Sequence, residues 1–221
     1  MSEAQTFDIL VAGGGMIGSA LALGLSRQGW HVGLVEGSGH ESLVEAPDSA
    51  TTVADFEPRV SAISVASQKL LEQLGVWSEV TAGRHCPYQT MTVWDVDGTG
   101  RIQFEAAELQ ARALGTIVEN RSIVRSLFRA LEQSPVELID GARITGCKRL
   151  PGTYTVELED GRSLSAGLLV GCDGANSRLR HWVGLPTREW DYDQQAIVCT
   201  VKTSQSHRFT AWQRFSTTGP L

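Results

Sequence analysis

The sequence predicts an α/β fold that begins with a βαβ unit on a parallel sheet and continues into a β-rich part. Two observations support this. Within the first 36 residues an apolar run, a glycine-rich turn, an apolar helical stretch and a second apolar run follow one another. Short β-like runs separated by turns then dominate the second half of the chain. Strands that alternate with a helix favour parallel pairing, because a crossover helix joins neighbouring parallel strands.

The first βαβ unit is predicted from its periodicity. Residues 7–12 are the first strand, Met16–Arg27 is a helix that ends near Gly29, and residues 31–36 are the second strand. The uncharged run at 9–25 could pass for a signal sequence or a membrane span, but Glu3 and Asp8 precede it and glycines interrupt it. We therefore interpret it as a buried strand that leads into a buried helix.

Later elements follow from the same patterns. Residues 37–58 contain no Lys or Arg and predict a long acidic loop. Helices are expected at 64–74, where Gly75 ends the helix, and at 120–132 and 177–183. Strands are expected at 90–96, 116–118, 136–139, 144–149, 153–158, 168–172, 196–202 and 210–215.

Composition excludes several functions. The 221 residues carry a formal net charge of −6 and no Lys/Arg cluster, so a nucleic-acid partner is not expected. The four cysteines and five histidines show no ligand spacing. We therefore predict neither a metal site nor a disulfide.

A glycine motif joins the first strand to the first helix. Gly13, Gly15 and Gly18 have the G-x-G-x-x-G spacing. In it the first glycine makes the turn, the second admits a pyrophosphate and the third lets the helix pack closely on the strand. Met16 and Ile17 open the helix, where free N–H groups and the helix dipole favour phosphate oxygens. With a strand before it and a helix after it, the motif predicts a Rossmann-like dinucleotide site.

Glu36 lies at the end of the second strand, where a carboxylate accepts hydrogen bonds from ribose hydroxyls. It would repel a 2′-phosphate, so NADP is disfavoured at this site. The motif does not by itself distinguish FAD from NAD.

A second motif occupies residues 168–180. An apolar strand stops at Asp173-Gly174, and a short helix opened by Ser177 carries Arg178 and Arg180. The segment resembles the Asp-Gly signature of the flavoprotein aromatic hydroxylases, single-component monooxygenases with a para-hydroxybenzoate hydroxylase-like fold. The resemblance implies that Asp173 and Gly174 help to bind FAD and the incoming NADPH.

Further segments narrow this resemblance to the ubiquinone-biosynthesis hydroxylases of proteobacteria. They are RVSAIS at 59–64, LGVW at 74–77, VEN at 118–120 and LVGCDGANS at 169–177. HCPY at 85–88 and WQRF at 212–215 favour the member that acts on a demethoxy-quinol intermediate. The resemblance covers essentially the whole chain.

The resemblance implies a reaction and two more site residues. FAD would be the cofactor, NADPH or NADH and O₂ the co-substrates, and the aromatic ring of a prenylated phenol or quinol the site of hydroxylation. Arg59 would reach the FAD pyrophosphate or ribityl region, and Asn120 the ribityl chain. A surface arginine and a plain helix N-cap remain the alternatives for these two residues. No catalytic side chain is assigned.

The resemblance also implies a domain division. Residues 1–75 and 116–185 would form the FAD-binding domain, and 76–115 and 186–221 the start of a substrate domain. The family's third signature, a Gly-Asp turn followed by His-Pro, has no match here. We therefore expect an N-terminal part of a longer enzyme. By itself this part would keep the adenosine half of the FAD site, bind FAD weakly or not at all, and not hydroxylate.

The expected location is cytoplasmic, with peripheral contact at the inner membrane and with other quinone-pathway enzymes as partners. Three alternatives stay open. They are an FAD monooxygenase of a soluble phenol, an NAD-dependent Rossmann oxidoreductase, and a fragment that acts only in binding or assembly.

Overall fold

The computed structural model describes residues 5–39 and 52–221 of the chain. The strands are β1 (Gln5–Ala12), β2 (Val32–Glu36), β3 (Val60–Ser64), β4 (His85–Tyr88), β5 (Thr90–Asp95), β6 (Arg101–Glu105), β7 (Gly115–Glu119), β8 (Glu137–Asp140), β9 (Ile144–Leu150), β10 (Thr153–Leu158), β11 (Ser163–Gly171), β12 (Thr210–Ser216) and β13 (Gly219–Pro220). The α-helices are α1 (Met16–Arg27), α2 (Val65–Gln73), α3 (Trp77–Val80), α4 (Asn120–Glu132) and α5 (Arg178–Trp182), and 3₁₀ helices cover Val53–Asp55 and Ala106–Leu109.

The chain divides into two compact units. The first comprises Met1–Ala46, Leu74–Val76 and Ile123–Ile197, and the second comprises Pro47–Gln73, Trp77–Ser122 and Val198–Leu221. These limits differ from the domain bounds predicted from the sequence, because β3 pairs with β7 and so joins its surroundings to the second unit. The functional division of the chain stays a prediction.

The first unit is built on a six-stranded sheet of order β8-β2-β1-β11-β10-β9. β8, β2, β1 and β11 run parallel, and β10 and β9 continue the sheet antiparallel. The predicted α/β fold with a parallel sheet is therefore confirmed. β1 lies between β2 and β11, so its carboxyl end is flanked by two parallel strands. Open α/β sheets bind ligands in the crevice at the carboxyl ends of such strands.

Helix α1 packs against the rest of the first unit through one buried face. Ser19, Ala22, Leu23 and Ser26 are buried at spacings of three and four residues, which places them on one face. Helix α4 buries Ile123, Leu127, Phe128 and Leu131 in the same way. A core cluster brings together residues of β1, β2, β8, β10 and β11, including Leu10, Val35, Ile139, Val156 and Ala166. Full burial of each larger aliphatic side chain contributes about 1.5–3 kcal/mol to folding.

The second unit contains two antiparallel-rich sheets. One has the order β13-β12-β5-β6, in which β12 pairs parallel with β5, and the other has the order β3-β7-β4. The predicted strands at 90–96, 116–118 and 210–215 correspond to β5, β7 and β12. β3, β4, β6 and β13 were not predicted.

Two predictions on elements are wrong or incomplete. Residues 196–202 were expected to form a strand, but this segment has no regular structure, and Ile197 is 92% exposed. Its β-branched composition favours a strand, yet a strand also needs a partner for its backbone groups, and no strand within 5–39 or 52–221 pairs with it. Of the predicted loop at 37–58, residues 40–51 lie outside the described part, and Val53–Asp55 is a 3₁₀ turn.

The apolar run at 9–25 is divided between β1, the glycine turn and α1. Among residues 5–39 and 52–221, no helix is both long and apolar enough to cross a bilayer.

Candidate functional site

The glycine turn after β1 is held against the end of β11. The Cys172 backbone N–H donates to the Ala12 carbonyl at 2.7 Å. Gly13 has a φ of +102°, and a Cβ built on it would lie 2.4 Å from the Cys172 carbonyl oxygen. Both the backbone angle and this close approach therefore require glycine at position 13.

Gly18 and Gly15 are glycines for different reasons. A Cβ on Gly18 would lie 1.9 Å from the Gly13 carbonyl oxygen, so this glycine lets α1 start directly over the turn. A Cβ on Gly15 would meet nothing within 4 Å. The protein itself therefore does not need glycine at 15, and the space beside it is open to a ligand.

The start of α1 has the character of an anion site. Its N-cap, Gly15, makes no side-chain capping bond, and the first turn has no acidic residue. The first-turn N–H groups therefore lack an intrahelical acceptor and face outward with the positive end of the helix dipole. Met16 is partly buried and Ile17 is 73% exposed.

Glu36 anchors the turn from the neighbouring strand. Its Oε2 accepts a hydrogen bond from the Gly14 N–H at 2.6 Å, and its Oε1 accepts one from the Ser38 N–H at 2.7 Å. Each carboxylate oxygen can accept a second hydrogen bond, so both can still serve a hydroxyl. The predicted contact of Glu36 with a ribose stays a prediction.

Asp173 holds the second turn. Its carboxylate accepts hydrogen bonds from the Ser177 hydroxyl at 2.6 Å and from the Leu179 N–H at 3.2 Å, and Gly174 has a φ of +82°. Burial raises the pKa of Asp173, but the bonds from Ser177 and Leu179 outweigh this and keep that pKa below its ordinary value. Ser177 also caps α5 by accepting from the Arg180 N–H at 3.0 Å.

The first unit therefore brings eight predicted site residues to the carboxyl ends of three adjacent parallel strands. They are Gly13, Gly15, Met16, Ile17, Gly18, Glu36, Asp173 and Gly174. Arg59 and Asn120 belong to the second unit. There the Asn120 N–H donates to the Arg59 carbonyl at 3.0 Å, Asn120 Oδ1 accepts from the Ser61 hydroxyl at 2.6 Å, and the Arg59 side chain is exposed. Their contact with a cofactor stays a prediction.

The sequence reasoning missed one residue of the turn, Gly14, and one residue of α1, Ser19, that bonds to it. A Cβ on Gly14 would lie 2.9 Å from Phe128 and 3.0 Å from Glu36, so this middle glycine is needed for packing. The Ser19 hydroxyl donates to the Gly14 carbonyl at 2.8 Å. The uninterrupted run of three glycines was the signal for Gly14, whereas Ser19 gave none.

Comparison with known proteins agrees with this geometry. The family model described as "FAD binding domain" matches residues 6–216. The chain belongs to this FAD-binding domain family. Its cofactor is therefore FAD. The glycine turn and Asp173-Gly174 are the residues predicted to bind FAD, and their contact with it stays a prediction.

Relatives of the chain act in quinone biosynthesis. It is 37% identical over 219 residues to the 3-demethoxyubiquinol 3-hydroxylase of Escherichia coli K12, covering 98% of this chain and 54% of that protein. It is 34% identical to the ubiquinone hydroxylase UbiL of Rhodospirillum rubrum, covering 100% and 49%, and 35% identical to the mitochondrial ubiquinone biosynthesis monooxygenase COQ6 of Danio rerio, covering 100% and 47%. The chain thus spans about half the length of these relatives.

Solved structures give the same fold. PqsL of Pseudomonas aeruginosa, in complex with 2-aminobenzoylacetate, is 25% identical with a TM-score of 0.65 and covers 85% of this chain and 48% of its own. The p-nitrophenol 4-monooxygenase PnpA of Pseudomonas putida is 20% identical with a TM-score of 0.63, covering 81% and 44%, and supports the fold alone. The chain is related to flavoprotein monooxygenases.

Proposed function

We propose that this chain is the FAD-binding part of a monooxygenase that hydroxylates the aromatic ring of a prenylated phenol or quinol in ubiquinone biosynthesis. The observation that carries the substrate class is the 37% identity to a demethoxyubiquinol hydroxylase over 98% of the chain. The co-substrates are O₂ and NADPH or NADH. Work on such a substrate takes place at the inner membrane, with peripheral contact, and with other quinone-pathway enzymes as partners.

The residues of the first unit fit FAD in three respects. The open space beside Gly15 admits a pyrophosphate to the backbone, which a side chain would obstruct. The uncapped start of α1, at Met16 and Ile17, supplies N–H donors without a competing carboxylate. Glu36 keeps acceptor capacity for the adenosine ribose and disfavours a 2′-phosphate there.

The remaining site residues have proposed supporting roles. Asp173 fixes the turn after β11 through its bonds from Ser177 and Leu179, and Gly174 supplies the positive φ of that turn, so together they shape the wall of the cofactor site. On the resemblance alone, Arg59 contacts the pyrophosphate or ribityl region and Asn120 contacts the ribityl chain. We also propose that residues 1–75 and 116–185 serve the cofactor and that 76–115 and 186–221 serve the substrate.

Bound FAD supplies electron transfer from NAD(P)H and the activation of oxygen, while the protein binds and orients the cofactor and keeps water out. This division of labour assigns no acid–base pair or metal to the polypeptide. Its residues therefore act on the rate through cofactor binding and orientation.

Because the chain alone is expected not to hydroxylate, the function is tested on the full-length enzyme that contains it. That enzyme is incubated with FAD, NADPH, heavy-isotope O₂ and a short-chain prenylated demethoxy-quinol, and the product is analysed by mass spectrometry. A soluble phenol is offered in a parallel reaction. Heavy oxygen in the prenylated product supports the proposal. Label in the soluble phenol alone would favour a monooxygenase of soluble phenols.

A matched variant separates enzyme chemistry from reactions of free flavin. Gly15→Thr keeps the helix-capping tendency of position 15 roughly unchanged but places a branched side chain where the pyrophosphate is proposed to approach. Product formation should fall at least tenfold in this variant. Equal label incorporation with Gly15→Thr would contradict a role for the glycine turn.

A further inference from the structure

A buried carboxylate in the second unit holds a short segment of the chain in place. Glu119, 6% exposed at the end of β7, accepts hydrogen bonds from Arg84 Nε at 3.0 Å, Arg84 Nη2 at 3.1 Å and Arg121 Nε at 2.9 Å. Its Oε1 also accepts from the Glu57 backbone N–H at 3.1 Å. Both arginines donate in addition to the Asp55 carbonyl, at 3.2 and 2.8 Å. One carboxylate and two guanidinium groups thus fix the backbone at positions 55 and 57.

Electrostatics favour this arrangement. Burial raises the pKa of Glu119, but hydrogen bonds from Arg84 and Arg121 outweigh it and hold that pKa below its ordinary value. The group is therefore ionised at neutral pH and paired on both oxygens. Arg84 also lies over the Phe56 ring, with Cζ 4.9 Å from the ring centroid, so the same guanidinium covers the segment that it holds.

The fixed segment leads directly into Arg59. The Arg59 N–H donates to Glu57 Oε1 at 3.1 Å, and the Arg59 carbonyl accepts from the Asn120 N–H at 3.0 Å. Both backbone groups of Arg59 are therefore hydrogen-bonded, the N–H to the Glu57 side chain and the carbonyl to the N–H of Asn120, the residue after Glu119. Its guanidinium remains exposed, so the backbone of Arg59 is fixed while its charge is presented outward.

We propose that Glu119 is a positioning residue that, with Arg84 and Arg121, fixes the backbone of Arg59 so that its guanidinium is presented to an anionic group of the cofactor. The fixing of the backbone rests on the contacts above, and its use toward FAD rests on the proposed function. The three residues Glu119, Arg84 and Arg121 form what we call the brace. Glu119 itself is not proposed to contact FAD.

Amide hydrogen exchange of the chain without cofactor tests the brace. Glu119→Gln removes the charge while keeping the shape, and the Glu57 and Arg59 amides should then exchange about tenfold faster, because hydrogen bonds to a charged group change an equilibrium by at least this factor. Glu157→Gln is the matched control, since Glu157 pairs with Lys148 on an exposed strand, and it should leave these amides unchanged. Unchanged exchange in folded Glu119→Gln would overturn the brace.

A milder variant covers the case in which Glu119→Gln does not fold. Arg121→Gln removes one donor to Glu119 and one to the Asp55 carbonyl but leaves the Arg84 contacts in place. It should raise exchange at the same amides by a smaller factor. Protection equal to that of the unsubstituted chain would again overturn the brace.

Coupling to Arg59 tests the positioning role. FAD affinity, followed by flavin fluorescence, should fall about tenfold in Arg59→Ala and in Glu119→Gln, and the double variant should be no weaker than Arg59→Ala alone. A merely structural role predicts that the two losses add, and this result would overturn the positioning role. Absence of saturable FAD binding by the unsubstituted chain would overturn the proposed function and this use of Arg59, while the exchange result decides the brace separately.

Discussion

The substitution Gly18→Ala should destabilise the chain although it replaces glycine inside a helix. The new Cβ would lie 1.9 Å from the Gly13 carbonyl oxygen, about 1.5 Å short of ordinary contact, and both partners belong to backbone that cannot rotate away. Overpacking of this kind costs about 3 kcal/mol, and the helix gains about 1 kcal/mol from losing a glycine. We therefore expect a net loss of about 2 kcal/mol in the free energy of unfolding, which lowers Tm by about 4–8 °C for a chain of this size.

Gly24→Ala in the same helix is the matched control. Its Cβ would lie 3.8 Å from Leu74 Cδ2, which is ordinary van der Waals contact. This variant should gain about 0.5–1 kcal/mol from helix propensity and unfolded-state entropy. Urea unfolding followed by far-UV circular dichroism measures both. If Gly18→Ala were as stable as Gly24→Ala, the close approach of α1 to the glycine turn would be refuted.

Three further predictions concern the polar groups of the two turns. Asp173→Asn should cost about 1–3 kcal/mol at neutral pH, measured by urea unfolding, because it removes a charged acceptor from Ser177 and Leu179. Since the pKa of folded Asp173 lies below its ordinary value, this difference is fully present above about pH 4 and shrinks as the pH falls through the folded-state pKa; a pH-independent difference would contradict it. Ser177→Ala should cost about 1 kcal/mol by the same assay because α5 loses its cap, and a cost near zero would contradict the capping role. Glu36→Gln should weaken FAD and ADP binding by about tenfold in calorimetric titration, and equal affinity would refute a contact between Glu36 and the ribose.

The βαβ unit could be predicted because its signals are local. Met16–Arg27 matches the predicted helix bounds, and the acid at the end of β2 follows the glycine turn at the spacing that a crossover helix imposes. Gly13 and Gly18 have the structural roles that their spacing predicts, which the distances to Cys172 and Gly13 bear out. In this region neighbouring residues decide the structure.

Elements that depend on distant partners could not be predicted. β3 and β4 both pair with β7, which is distant from each of them in the sequence, so the strand partner that stabilises them is not visible in their own residues. The segment at 196–202 gave the opposite error, because its composition favours a strand, but no strand in the described part of the chain pairs with it. The brace is the clearest case, since Glu119 meets Arg84 and Glu57 over 35 and 62 positions of sequence. No local pattern indicates such contacts.

The central claim is that the glycine turn binds FAD through the open space beside Gly15. The most direct measurement is calorimetric titration of FAD into the unsubstituted chain and into Gly15→Thr, with urea midpoints measured on both. We predict weak but saturable binding that weakens at least tenfold further in Gly15→Thr while the urea midpoint stays the same. Equal affinity in the two proteins, or no binding to either, would contradict it.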